Sequence, residues 1–223
     1  VALVPIADTF LESARAGVLA AKGTSHLLSP YKGKTLGTIV ARFFSNHMLG
    51  IDKDYTGYLN YYEGMILAVS ILTVFAVSYF IVKKSTRVKA LVLTVFLVFL
   101  TIMPLTSRIL VFTKHSYRWT FMICFVEALV IGCFLQDVFR EKNRKTVLTG
   151  SILAIVICGG LLAWMYSFKN IKPDHKVTAG VIGFLAVYLI LFAVGTSVKK
   201  MYRIFPAAVL LVLICELFVL DYP

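Results

Sequence analysis

Long apolar runs decide what this chain can fold into. A helix that crosses the hydrocarbon core of a bilayer needs roughly 20 predominantly apolar residues, and runs of that length recur between residues 63 and 220. Uninterrupted runs of this kind are typical of transmembrane helices. We therefore predict an all-α integral membrane protein, a bundle of about six transmembrane helices with approximate bounds 63–82, 88–105, 119–139, 147–168, 178–198 and 204–220.

Composition and charge agree with that class and exclude another. Hydrophobic residues make up 59% of the chain and charged residues only 15%, with a mean hydropathy of +0.85, whereas soluble domains are about a quarter charged. The net charge of +12 would suggest nucleic-acid binding in a soluble protein. Lys and Arg at the ends of membrane spans instead set topology and meet anionic lipid. We therefore expect the lipid bilayer as a partner and no nucleic acid.

The chain divides into two parts. Its opening, VALVPIADTF, is typical of the end of a preceding span at 1–6, which indicates a piece of a longer polypeptide. Residues 7–62 form a predicted extramembrane region, and residues 63–223 form the transmembrane domain. Apolar residues of the first part recur at helical spacing at Leu36, Ile39, Val40, Phe43 and Phe44, with Lys34, Arg42 and Ser45 off that face. This amphipathic helix is expected to lie in the membrane interface, or to pack that face on the rest of the protein.

Basic residues in the short loops orient the spans, because cytoplasmic loops carry an excess of Lys and Arg. The richer set of alternate loops holds Lys83, Lys84, Arg87, Lys89, Arg140, Lys142, Arg144, Lys145, Lys199, Lys200 and Arg203. The other set holds Arg108, Lys114, Arg118, Lys169, Lys172 and Lys176. We therefore place the first set in the cytoplasm, and the 7–62 region and the 106–118 loop on the extracytoplasmic face.

The loop before the third span is the best candidate for a binding site. It is basic and aromatic and runs directly into an apolar helix, as KHSYRWTFMICFVE at 114–127. Its charge opposes the bias of its own side, and an anionic ligand would account for that, since Arg offers a planar fork to phosphate and Lys a point charge. The same side chains could instead only reach lipid phosphates. The candidate phosphate-binding residues are Arg108, Lys114, His115, Tyr117 and Arg118.

Two carboxylates could support such a site. Glu127 lies nine residues beyond Arg118, about 13.5 Å along a helix, and so near mid-membrane if Arg118 marks the surface. A carboxyl group at that depth faces the protein interior or a wet cavity, as a proton or ligand group or as a hydrogen-bonded lock between helices. Glu63 begins the first full span beside a run of tyrosines that mark the headgroup level or hold a sugar ring: Tyr55, Tyr58, Tyr61 and Tyr62.

The sequence indicates no cofactor. A carboxylate on the extracytoplasmic side could act as a general base or hold a divalent cation. The four cysteines, Cys124, Cys133, Cys158 and Cys215, all fall inside apolar runs and have no metal-ligand spacing. We therefore predict no metal site of ordinary spacing, and interpret the cysteines as core residues.

Short motifs along the chain resemble those of the YfhO-like membrane proteins of bacteria. The matching pieces are ESAR ending at Arg15, LLSP at 27–30, YYEG at 61–64, HSYRWTF at 115–121 and ICELF at 214–218. HSYRWTF is similar to the aromatic–Tyr–Arg–Phe sequence with which the family begins a span. The acidic residue of ICELF fits an acidic position in a family helix. Together the motifs cover most of the chain in the family's order.

The resemblance implies a GT-C-like polytopic glycosyltransferase in the cytoplasmic membrane of a Gram-positive bacterium. It would transfer a hexosyl or N-acetylhexosaminyl group from a polyprenyl-phosphate carrier, at the outer face, to a cell-envelope polymer such as teichoic acid. Tyr117 and Arg118 match the family motif and would grip the carrier phosphate, with Arg15 as a second candidate. Enzymes of this type are expected to keep the catalytic carboxylate in the first extracytoplasmic loop. The general base is therefore expected outside this chain, and the catalytic residue stays unknown.

Two other functions fit the same residues. A transporter or flippase for an anionic lipid-linked substrate would use the same basic loop and would give Glu127 a proton-coupling role. Discontinuous helices would favour that function. A non-catalytic membrane subunit is the third alternative.

Overall fold

The structure is a computed structural model that describes residues 29–50, 54–58, 70–106, 121–141, 143–169, 171–197 and 204–221. Within those ranges the chain is helical and no strand occurs, so the predicted all-α class is confirmed. The helices are α1 Gly33–Arg42, α2 Leu72–Val82, α3 Arg87–Ile102, α4 Phe121–Glu141, α5 Arg144–Tyr166, α6 His175–Gly195 and α7 Phe205–Asp221, and a 3-10 turn spans Asn46–Leu49.

Three of the described helices are long and apolar enough to cross a membrane. They are α4 over Met122–Arg140, α5 and α6, and they correspond to the predicted spans 119–139, 147–168 and 178–198. Helices α2 and α7 are apolar but shorter. The structure therefore supports a membrane protein, while the count of six spans stays a prediction.

Proline sets the end of α3 earlier than the apolar run suggests. The run predicts a helix to residue 105, but α3 ends at Ile102, and Met103 has extended backbone angles, φ −97° and ψ 123°. Pro104 follows, and its ring clashes with a helical conformation of the residue before it. The N–H group of Met103 still donates to the carbonyl of Phe99 at 3.2 Å, so the helix end stays hydrogen-bonded.

Helix α2 lies at the centre of the bundle, in contact with α3, α4 and α5. Seven of its 11 residues are buried, as expected for a helix that is hydrophobic all round. Aromatic rings pack on it: Phe75 lies against Tyr188 and Phe192 of α6, with ring centroids 5.6 and 5.7 Å away. The core is therefore apolar and largely aromatic.

The outer faces of the helices are apolar as well. Exposed residues include Val92 and Phe96 on α3, Phe125 on α4 and Val156 on α5. An exposed apolar surface of this extent marks contact with a membrane or a partner. Because it extends over α4 and α5, which are of membrane-spanning length, we assign it to lipid contact.

Helices α2 and α5 touch backbone to backbone at Gly150. A Cβ atom added there would lie 2.8 Å from the Cα of Tyr79, closer than any carbon contact tolerates. Only glycine permits this approach.

We expect Gly150→Val to lower the thermal unfolding midpoint in detergent, because its side chain has no room against Tyr79. Overpacking of this kind costs about 1–3 kcal/mol. The matched control is Gly160→Val on the same helix, where nothing lies within 4 Å of an added Cβ. Equal loss of stability in the two variants would contradict the close approach.

One end of the bundle, here named the basic end, holds the α2–α3 and α4–α5 turns. Lys83 and Asp137 join α2 to α4 there, with Nζ and Oδ2 2.7 Å apart, and the ammonium lies 5.9 Å from the ring centroid of Tyr79. Exposed basic side chains surround these turns: Lys84, Arg87, Lys89, Arg140, Arg144 and Lys145.

Residues 29–50 and 54–58, here named the cap, lie across the opposite end. The N–H group of Tyr31 donates to the carbonyl of Ile102 at 3.0 Å, and that of Asp174 donates to the carbonyl of Met48 at 2.8 Å. The Ser45 hydroxyl donates to the carbonyl of Leu220 at 2.6 Å. The cap is thus hydrogen-bonded to the end of α3, the start of α6 and the end of α7.

Helix α1 belongs to the cap and packs on protein. Gly37 faces the side chains of Phe168 and Ile171 beyond the end of α5, and all residues from Gly37 to Arg42 are buried. The described residues show that the amphipathic helix packs on the rest of the protein, and its position in the membrane interface stays a prediction. Arg42 and Ser45, predicted off the apolar face, are nevertheless buried, because the helix is covered from more than one side.

Candidate functional site

A buried carboxylate, Glu216, joins three helices in the interior. It is 2% exposed and lies on α7, which runs antiparallel to α6, so that Gly195 meets Phe205 and Gly180 meets Leu220. Side chains on a helix tilt toward its N-terminus. Tyr188 of α6 therefore tilts toward the cap and Glu216 tilts away from it, which brings the Tyr188 hydroxyl 2.7 Å from Oε2.

The same carboxylate lies at the start of α2. Its Oε2 accepts a hydrogen bond from the Ser70 hydroxyl at 2.5 Å, and its Oε1 accepts one from the N–H group of Ile71 at 2.7 Å. The Ser70 oxygen in turn accepts from the N–H group of Leu72 at 2.9 Å. The hydroxyls of Ser70 and Tyr188 and the N–H group of Ile71 thus occupy both oxygens of the carboxyl group, which lies at the positive end of the α2 dipole.

Helix α2 begins well inside the bundle. Its 11 residues reach about 16 Å at 1.5 Å per residue, whereas the 23 residues of α5 reach about 34 Å. Glu216 itself lies five residues before the end of α7 at Asp221, about 7.5 Å from that end. The predicted span 63–82 is thus described as a helix only from Leu72, with residues 59–69 outside the described part.

A buried cation, Arg42, lies in the cap. Its side chain is 2% exposed, its Nη2 donates to the Tyr55 hydroxyl at 3.0 Å, and its guanidinium carbon lies 5.6 Å from the Tyr55 ring centroid. This combines a hydrogen bond with a cation–π contact. Tyr55, predicted to mark the headgroup level or to hold a sugar, is therefore engaged inside the cap.

The predicted phosphate-binding residues lie outside the described part of the chain. They are Arg15, Arg108, Lys114, His115, Tyr117 and Arg118, and the predicted supporting carboxylate Glu63 lies outside it as well. The described chain stops at Thr106 and resumes at Phe121. Thr106 follows the end of α3, which the cap contacts, and Ile123 at the start of α4 packs with Tyr31 and Ile39 of the cap.

Glu127, the other predicted carboxylate, is described. It lies on α4, is 3% exposed, and is therefore inside the protein, where an acidic group in a membrane span is expected. It lies one turn beyond Ile123, which packs with the cap. Its predicted role in binding or proton transfer stays a prediction.

Sequence reasoning missed the partners of Glu216 and the burial of Arg42. In the sequence, Glu216 stands out only as the acidic residue of ICELF, which resembles an acidic position in a family helix. Ser70 and Tyr188 carry no such signal, because a serine and a tyrosine are ordinary in apolar runs.

The sequence was compared with models of known protein families, with curated proteins and with solved structures. The family model described as bacterial membrane protein YfhO matches residues 19–222. The chain belongs to the YfhO family. No curated protein and no solved structure matches it. The YfhO match includes Arg42, Glu127 and Glu216, whereas Arg15 precedes it.

Replacing Glu216 in this YfhO family protein tests the junction of α2, α6 and α7. Glu216→Leu leaves the buried N–H group of Ile71 and the Tyr188 hydroxyl without their acceptor, at about 1–3 kcal/mol for each group. We expect a large drop in the thermal unfolding midpoint in detergent. Glu216→Gln retains one carbonyl oxygen and should lose much less.

Tyr188→Phe is the matched control for that series, because it removes a single donor and leaves the carboxylate bonded to Ser70 and Ile71. It should unfold at a temperature between those of wild type and Glu216→Leu. Wild-type stability of Glu216→Leu would show that the junction does not hold the helices together.

Proposed function

We propose that the protein is a membrane glycosyltransferase. It takes a sugar from a polyprenyl-phosphate carrier at the outer face and passes it to a cell-envelope polymer such as teichoic acid. Membership of the YfhO family supports the proposal, since the family resemblance implies this activity.

The observation that carries it is the apolar surface beside the predicted basic loop. Phe96 and Phe99 near the end of α3, and Met122 and Phe125 at the start of α4, are exposed by 46% to 70%. The 106–118 loop joins these two helix ends. A polyprenyl chain on this surface would bring its phosphate to the two helix ends that the loop containing Arg108 and Arg118 connects.

The chemistry of the transfer explains why basic residues are needed there. Cleavage of the sugar–phosphate bond leaves negative charge on the carrier phosphate, and preorganised Arg or Lys stabilises that charge in the transition state. Arg118 provides a bidentate fork for phosphate oxygens, and Tyr117 beside it provides a hydroxyl donor. Arg108, Lys114 and His115 add positive charge and hydrogen-bond donors.

Removing Arg118 tests this role in the full-length protein. In vesicles that contain a radiolabelled polyprenyl-phosphate sugar, Arg118→Ala should lose transfer of label to the polymer by at least about 100-fold, a loss typical of a group that stabilises transition-state charge. Arg118→Lys should recover only part of it, because the fork is lost. Lys169→Ala, another change at the cap end, is the control and should transfer normally. Normal transfer by Arg118→Ala would refute the role of Arg118.

A transporter is the second candidate, and the position of α2 favours it. Transporters place the N-termini of discontinuous helices within the membrane, near their binding sites, and α2 begins inside the bundle at Glu216. In the same vesicles, flipping of the labelled lipid without transfer, and its loss in Glu216→Gln, would support this function. The absence of both transfer and flipping would indicate a non-catalytic subunit.

The orientation required by either function can be measured directly. In a background without native cysteines, a cysteine at Lys172 should react with a membrane-impermeant maleimide from outside intact cells. One at Asn143 should react only after permeabilisation, because the two residues lie at opposite ends of the bundle. The reverse pattern would overturn the predicted topology and move the cap to the cytoplasm.

A further inference from the structure

At the basic end, positively charged side chains lie at the positive ends of two helix dipoles. The positive end of a helix dipole favours negative groups. Yet α3 and α5 both begin at this end without an acidic residue in the first turn. Their first turns instead contain Arg87 and Lys89, and Arg144 and Lys145. An anion beside these turns would relieve the repulsion.

The two turns lie close together. The ion pair between Lys83 and Asp137, at 2.7 Å, joins α2 to α4 just before their turns. Asp137 is thereby already engaged by a cation of this end. Gly150 of α5 also meets Tyr79 of α2, so the exposed cations of both turns lie at the same end of the bundle.

The roles of these cations differ. Arg87 closes the end of α2: its Nε donates to the carbonyl of Ile81 at 3.0 Å and its Nη2 to that of Val82 at 3.4 Å. Within the described part of the chain, Lys84, Arg144 and Lys145 are exposed and their side chains have no hydrogen-bond or ion-pair partner. These three side chains can bind an external anion without breaking a contact within the protein.

The position of these cations beside apolar surface indicates which anion they would bind. Val88 and Val92 of α3 are 71% and 63% exposed, and Ile152 of α5 is exposed as well, so apolar surface begins within about two turns of the cations. Lys and Arg beside such a surface extend to the lipid phosphates.

We propose that the basic end binds anionic phospholipid, with the headgroup phosphate between the α2–α3 and α4–α5 turns, held by Lys84, Arg144 and Lys145. A zwitterionic lipid brings its own cation to this region and is disfavoured. A headgroup of the phosphatidylglycerol type brings only negative charge and is preferred.

The cap end provides a contrast on the same molecule. Helix α6 begins there, and its N-terminus has an acidic cap of its own: Asp174 Oδ1 accepts from the N–H groups of Lys176 at 2.7 Å and Val177 at 3.4 Å. The exposed lysines Lys169, Lys172 and Lys176 therefore lie beside a carboxylate that is part of the protein. They supply a control of equal charge.

The test is native mass spectrometry of the full-length protein in detergent with equimolar phosphatidylglycerol and phosphatidylcholine. Wild type should retain phosphatidylglycerol in preference. Each basic residue near an anionic surface contributes about fivefold to binding, so the combined variant Lys84→Gln, Arg144→Gln, Lys145→Gln should lose at least about tenfold of that preference. The combined variant Lys169→Gln, Lys172→Gln, Lys176→Gln should keep it.

Three results would overturn the proposal: equal retention of the two lipids by wild type, equal loss in both combined variants, or equally tight binding of soluble glycerophosphoglycerol, which would indicate a small-anion site instead. Gel filtration checks that each variant is folded. If the first variant is not folded, the lipid selectivity of the wild-type protein is measured in about 1 M NaCl instead. Selectivity that survives this salt concentration contradicts an exposed electrostatic site.

Discussion

A backbone N–H group in an apolar interior must find a hydrogen-bond partner, and this requirement shapes the centre of the bundle. Helix α2 begins away from water, where its first N–H groups have no intrahelical acceptor. Glu216 and Ser70 accept from Ile71 and Leu72, and Tyr188 completes the carboxylate's partners. The carboxyl group of Glu216 thus joins the start of α2 to α6 and α7, at the depth in the bundle where α2 begins.

The cap obeys the same requirement at the end of the helices. The last carbonyl groups of a helix have no intrahelical donor, and here the cap supplies donors for two of them. The N–H group of Tyr31 donates to the carbonyl of Ile102, and the hydroxyl of Ser45 donates to the carbonyl of Leu220. The cap is thereby joined to the ends of several helices.

The two ends of the bundle differ in how charge is compensated. Among the described residues of the cap end, Arg42 contacts Tyr55 and Asp174 caps the start of α6. At the basic end Lys83 and Asp137 pair, and further cations stand exposed at two helix starts.

The sequence by itself determined the all-α membrane class and the positions of α4, α5 and α6, because apolar run length and helical period are local properties. It also marked Glu127 as an interior carboxylate, because charge is costly at that depth. Only the tertiary structure decided where α2 begins and that Arg42 is buried. The partners Ser70 and Glu216 are 146 residues apart in the chain, and no local pattern records a hydrogen bond between groups so distant in sequence.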